Sequence, residues 1–199
     1  MATSRGSVDT PALDETDRCM LLDLAEVALR AYLRGVRYPA VDERRLSPAL
    51  LRPCHAFVVI RLGRGVFGCA GNLTDPRPLA HCVPDLTVHS AFELRDDRQL
   101  TANDLDRIEI EISVVEGRQR VPAGSRSELL RRIGDRNCGL AVTSGSKHAV
   151  LLPKAWRRFE DPGDYIDALL QRAGLSADVW PEDLVVERLS TTEFSRLLD

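Results

Sequence analysis

Cys69 is the residue of this 199-residue chain best placed to do chemistry. It stands in Phe67-Gly68-Cys69-Ala70-Gly71-Asn72, between two glycines and close to a turn-prone asparagine. Glycines within a strand mark a bulge or a place where something approaches the backbone closely. A thiol held there is a nucleophile if a base or a positive dipole lowers its pKa, and a small buried hydrophobe if nothing does. His55, His81, His89 and His148, with Cys54, Cys69 and Cys82, are the candidate metal ligands. Cys82 and His89 could share one face of a helix, but no C-x-x-C or H-x-x-x-H spacing is present, so no metal site is expected. Gly63-Arg64-Gly65-Val66-Phe67-Gly68 matches G-x-G-x-x-G, the dinucleotide fingerprint. That fingerprint needs a helix to start at the loop, and here the glycines lead into a strand, so no nicotinamide or other cofactor is expected. Asp96-Asp97, and Asp161 with Asp164, read as turn and cap residues, not as a catalytic carboxylate pair. There is no G-x-S-x-G and no Walker loop.

The elements that must position Cys69 follow from the pattern around it. Asp14 caps a helix over about 15–34, with Leu21, Leu24, Ala25, Ala28 and Tyr32 at helical spacing and Gly35 as the stop. Residues 36–54 hold Pro39, Pro48 and Pro53 and read as a loop. Ala56 to Leu62 is a strand, Gly63-Arg64-Gly65 turns the chain, and Val66 to Gly71 returns. A helix opens near Leu79, with Pro84 expected to kink it or to delay its start. Arg107 to Val115 alternates strictly, which puts Ile108, Ile110, Ile112 and Val114 on a buried face and leaves Glu109 and Glu111 solvated. Ser125 and Glu128 form a capping box for a helix through Ile133. Cys138 to Thr143 and Lys147 to Leu152 flank the turn Ser144-Gly145-Ser146 as a hairpin. Asp161-Pro162 opens a helix that ends at Gly174. Asp183 to Leu189 is a last strand, and Thr192 to Leu198 a closing helix. Hairpins interleaved with helices, without a regular βαβ rhythm, predict an α+β fold with a mainly antiparallel sheet.

Charge and composition narrow the classes. Net charge is −3, which argues against a dedicated nucleic-acid binder. Of the 27 basic residues only Lys147 and Lys154 are lysine. Six arginines lie between Arg118 and Arg136, set against Glu116, Glu128 and Asp135; they read as a solvated helix face, or as a patch for an anion or a partner. The longest apolar runs, such as Ala149 to Pro153, fall far short of the ~20 residues that span a bilayer, so no membrane association is expected. Met1 to Asp9 is polar and carries no signal core. Five cysteines at irregular spacing read as free thiols in a reducing cytoplasm.

Several short motifs stand in a particular order. They are Gly68-Cys69-Ala70-Gly71-Asn72-Leu73, then Pro76 and Pro78-Leu79, then His89-Ser90-Ala91-Phe92. After them come Ile110-Glu111-Ile112-Ser113-Val114, Cys138-Gly139-Leu140 and Val150 to Trp156, and last Tyr165 to Trp180 with Arg172-Ala173-Gly174-Leu175. Over about Asp17 to Phe194 this resembles the AMMECR-one domain family, the AMME-syndrome candidate protein domain. Its bacterial and archaeal members are called AmmeMemoRadiSam system protein A. Residues 1–13 read as a flexible tail, and the resemblance implies one domain over 14–199. In that domain a larger lobe is built from both chain ends, with a smaller lobe inserted or packed against it. It also implies a binding cleft at Gly68, Cys69, Gly71 and Asn72. The family's Arg-Gly-Cys-Ile-Gly has Phe67 here for the arginine and Ala70 for the isoleucine, and its Asp-Pro-Arg-Phe-Pro-Pro is replaced around Asp96 to Leu100. Losing the arginine removes a fixed charge and five donors. Family genes accompany those of Memo-like and radical S-adenosylmethionine proteins, so the resemblance implies a shared pathway, with those proteins as partners. Two functions follow: a binding or accessory module docking through the glycine-rich strand, or a cysteine-dependent enzyme using Cys69 on a small molecule or peptide.

Overall fold

Asp14 starts the first helix, α1 (Glu15–Leu33), through a reciprocal cap. Its carboxylate accepts the Asp17 amide at 2.8 Å, and the Asp17 carboxylate accepts the Asp14 amide at 3.3 Å. The computed structural model describes residues 12–71, 73–92, 99–134 and 136–199. Most of the expected tail, Asn72, Asp96-Asp97 and Asp135 lie outside the described residues. Leu13, assigned to the tail, is buried in the core beside α1.

The chain divides into two units. The first holds the described residues up to Val114 together with Glu193–Asp199, and the second is Val115–Thr192. Among the described residues there are seven strands and five α-helices, and the paired strands run antiparallel, so the fold is α+β.

In the first unit a short helix, α2 (Pro48–Leu51), leads into strand β1 (Pro53–Leu62). A single 3-10 turn, Glu43–Arg45, precedes α2. The expected 36–54 loop is thus partly ordered: Pro48 starts α2 instead of breaking the chain, because proline is preformed for a first helical turn. Strand β2 (Gly65–Gly71) pairs antiparallel with β1. The register shifts between Ile60, which faces Gly68, and Arg61, which faces Val66, and so leaves Phe67 as an extra residue in a β-bulge. That bulge lets Phe67 join the core.

A two-residue strand, β3 (Arg77–Pro78), pairs with the start of β1 and runs into α3 (Leu79–Phe92). Pro84 lies inside α3 and is buried, and the helix begins at Leu79, not late. Helices α1 and α3 pack together, and α3 covers β1 and β2.

Strand β4 (Ile108–Arg120) buries Ile108, Ile110, Ile112 and Val114 as its alternation requires. Its other face is not wet. Glu111 is 2% exposed, Ser113 is buried, and Glu109 is half-buried. The expected solvation of Glu111 is corrected by an ion pair: Arg61 of β1 donates from Nε to Glu111 at 3.1 Å, supplying the counter-charge that a buried carboxylate requires.

The second unit holds α4 (Arg126–Ile133), the hairpin β5 (Gly139–Ser144) and β6 (Lys147–Leu151), and α5 (Pro162–Arg172). Ser125 accepts the Glu128 amide at 3.2 Å, but the Glu128 carboxylate turns to the Gly124 amide at 2.9 Å, so only half of the expected box forms. The core is centred on Tyr165, whose ring stacks on Trp156 at 3.5 Å between centroids and meets the edge of Phe159 at 5.5 Å.

The last strand, β7 (Val185–Leu197), overturns the expected closing helix at Thr192 to Leu198. Tertiary partners outweigh local helix signals here. Ser195 donates to the Glu109 carboxylate at 2.6 Å, the Leu198 amide to the Ile108 carbonyl at 2.9 Å, and Arg196 to Asp23 of α1 at 2.6 Å. Leu198 is buried and Phe194 packs on the core of the first unit.

Candidate functional site

Cys69 lies in the middle of β2, opposite Val59 of β1, and is half-buried. Alternation along β1 places Phe57, Val59 and Arg61 on the face shared with Cys69 and Gly71, while Val58 and Ile60 enter the core on the other. On β4 the corresponding face carries Glu111 and Ser113. Thiol, guanidinium, carboxylate and hydroxyl thus share one side of a three-strand segment. Among the described residues, Ser113 Oγ is buried without a hydrogen-bond partner.

Both glycines of the motif have a reason inside the protein. A Cβ on Gly68 would lie 1.9 Å from the Ser90 carbonyl oxygen of α3, and one on Gly71 would lie 2.3 Å from the Phe57 ring and 2.6 Å from the Ala56 oxygen. Ser90 is itself fixed, because its hydroxyl donates to the Val58 carbonyl at 2.8 Å. Close helix-on-strand packing is therefore sufficient to require glycine at 68. Phe67, standing where the resemblance has arginine, is buried in that same packing.

The histidines are dispersed. His55 is on β1, His81 and His89 are on α3, and His148 is on β6. His81 Nε2 is 2.8 Å from Glu43, and His148 Nδ1 is 3.4 Å from the Ser146 carbonyl. Among the described residues no three His, Cys, Asp or Glu side chains are grouped to hold a metal ion. Asp161 caps α5 through the Gly163 amide, and Asp164 lies in that helix's first turn.

Two polar groupings were missed in the sequence. One is the Arg61–Glu111 pair; its signal was a charge of each sign interrupting two apolar strands. The other is Asp85 on α3, which accepts from the Tyr38 hydroxyl and, at 2.7 Å, from Arg77. Burial opposes ionisation of Asp85, but the Tyr38 hydroxyl and the Arg77 guanidinium outweigh it and hold the carboxyl below its usual range. Burial, and then the Asp85 hydrogen bond, push Tyr38 up to about 12. Near neutrality neither group changes its protonation, so this cluster ties the 36–47 segment, β3 and α3 together and is not an acid–base pair. No sequence spacing linked Tyr38 to Asp85.

Cys82 belongs with it. Burial pushes its thiol up to about 12, against the pull of Arg77. The thiol also donates to the Leu79 carbonyl at 3.7 Å. In the folded protein, iodoacetamide at pH 8 is expected to label exposed Cys19 while Cys82 stays unmodified. Between pH 9 and 12 the unfolded thiol has lost its proton and the folded one keeps it, so stability falls as pH rises through that window. Mass spectrometry of the labelled chain reads the first expectation, and urea midpoints against pH read the second. Labelling of Cys82 as fast as Cys19 would contradict the buried, protonated thiol.

These features define an α+β protein whose motif strand is pinned against a helix. The class has relatives. A protein of Methanococcus aeolicus is 28% identical over 163 residues, covering 78% of each chain. One from Thermofilum pendens is 28% identical over 179 residues, covering 84% of each. The crystal structure of the uncharacterized protein PH0010 from Pyrococcus horikoshii superposes with a TM-score of 0.78, covering 89% of this chain and 90% of that one at 24% identity, which shows the shared fold. Residues 22–194 match the AMMECR1 family, and the chain belongs to it.

Proposed function

We propose that this AMMECR1 chain is a binding or accessory module that docks a partner at the Gly68-Cys69-Ala70-Gly71 strand. The observation that carries the reading is the position of that strand. β2 stands last in the strand order, and its residues from Cys69 to Gly71 are only partly buried. A terminal strand presents backbone donors and acceptors on which an extended peptide can add as a further strand. Asn72 completes the binding segment in this reading. Family membership supports a Memo-like or radical S-adenosylmethionine protein of the same pathway as the partner. The absence of disulfides among the five cysteines supports action in the cytoplasm. The partial exposure of Cys69 favours one alternative, thiol chemistry on a small molecule or peptide.

Hydrogen exchange tests the proposal with a purified Memo-like protein, or with a purified radical S-adenosylmethionine protein. Docking predicts slowed exchange of the amides of residues 65–71 in the mixture, unchanged in Cys69→Ser. Protection elsewhere, or none with either protein, overturns it. Turnover of a bound peptide that Cys69→Ser abolishes establishes the enzyme instead.

A further inference from the structure

Two buried thiols outside the motif strand meet at one junction. Cys54 stands near the start of β1 and Cys82 in the first turn of α3, and both belong to the core of the first unit. The pairing of β3 with β1 sets Cys54 opposite Arg77, and α3 begins just beyond, at Leu79. Arg77 reaches Asp85 of α3 at 2.7 Å. Cys82 and Asp85 are one i, i+3 pair on that helix, so they share a face. Cys54 is also near enough for its charge to oppose ionisation of Cys82.

The two thiols have different company. Cys82 donates to the Leu79 carbonyl and keeps its proton. Cys54 accepts from Arg52 Nε at 3.3 Å. Arg52 Nη1, in the same planar group, is buried and has no hydrogen-bond partner among the described residues. A buried donor left unmade is costly, and this one stands where an oxygen added to the Cys54 sulfur would satisfy it.

We propose that Cys54 is a site of oxidation by hydrogen peroxide and that Cys82 resolves it, closing a disulfide between β1 and α3. The Cys54 sulfur attacks one peroxide oxygen and the O–O bond breaks. The thiol proton leaves with the second oxygen as water, and Cys54 becomes a sulfenic acid. Its new oxygen accepts from Arg52 Nη1. The Cys82 sulfur then attacks the Cys54 sulfur, the S–O bond breaks, and the Cys82 proton leaves with the hydroxyl as water. One peroxide is reduced to two waters and two thiols are oxidised to one disulfide. Burial suits Cys82 to the second role: it shields the thiol from direct oxidation, whereas attack on a neighbouring sulfur needs only proximity. In a reducing compartment such a bond is transient and redox-sensing. It fastens β1 to the helix whose Ser90 backbone packs on Gly68.

Treatment of the dilute full chain with hydrogen peroxide tests the site, with remaining thiols blocked by N-ethylmaleimide and the peptides mapped by mass spectrometry without reduction. The folded chain is expected to give a Cys54–Cys82 linked peptide, two hydrogens lighter than its parts, that dithiothreitol separates. Arg52→Gln is expected to slow the link by about tenfold, the effect of losing one charged hydrogen bond. Diamide oxidises thiols without placing oxygen on sulfur, so it should link Arg52→Gln as fast as wild type. Recovery of Cys82 blocked by N-ethylmaleimide in the peroxide-treated wild type overturns the proposal, and so does Cys54 or Cys82 linked to another cysteine. Peroxide linking Arg52→Gln at the wild-type rate overturns the part given to Arg52. Equal slowing by both oxidants does the same, because it would make Arg52 a packing residue.

Discussion

Gly68→Ala is expected to cost about 4 kcal/mol or more, a large share of the roughly 5–15 kcal/mol that holds a folded domain together. The added methyl would stand 1.9 Å from the Ser90 oxygen and 2.9 Å from its carbonyl carbon, both backbone atoms of α3. No rotamer relieves a clash with main chain. Either α3 must lift off β2, which breaks the Ser90–Val58 hydrogen bond and opens the core, or the bulged strand must bend away. Gly65→Ala is the matched control. Its Cβ would lie 3.9 Å from the Leu62 oxygen, ordinary contact, so the change should stay within about 0.5 kcal/mol. Urea denaturation of the two variants and wild type gives the comparison. A Gly68→Ala loss under about 1 kcal/mol would mean that α3 and β2 are not packed as closely as described.

Tyr165→Ala should be nearly as damaging, at about 3–5 kcal/mol, the range for removing a large aromatic ring from a core. The ring is fully buried between Trp156 and Phe159, and its hydroxyl donates to the Leu151 carbonyl at 2.9 Å. Tyr165→Phe keeps the stack and loses only that bond, so about 1 kcal/mol is expected. Trp156 is one of only two tryptophans and sits against this ring, so fluorescence-detected unfolding follows the change. Equal losses in the two variants would shift the weight from ring packing to the hydroxyl.

Much of the architecture was readable because it rests on local rules. The Asp14 cap, the β1–β2 and β5–β6 hairpins and the buried isoleucines of β4 each follow from spacing within a few residues. What escaped depends on distant partners. Thr192 to Leu198 looked helical until Glu109, Ile108 and Asp23 supplied strand and ion-pair partners from far along the chain. Glu111 looked solvated because alternation reports one buried face and says nothing of what covers the other. The candidate site was legible as a motif, Gly68-Cys69-Ala70-Gly71, but not its packing: the Ser90 backbone that forbids a side chain at 68 lies on another element.

The extra residue at Phe67 also acts as a parity bit for its strand. Side chains change sides at every step along a strand, so one added residue exchanges inside and outside for all that lies on one side of it. Here Gly68 and Ala70 face Ile60 and Val58, and Cys69 keeps its partly exposed position, only because Phe67 has absorbed one step. Deleting a single residue from the Gly63-Arg64-Gly65-Val66 segment would press the strand to recover regular pairing by spending the bulge. Phe67 would then leave the core, whereas the Gly68–Gly71 pairing would stand. Comparison among AMMECR1 chains should therefore count this bulge before matching letters. An arginine at position 67 is a buried charge where the extra residue is present and an outward-facing one where it is absent.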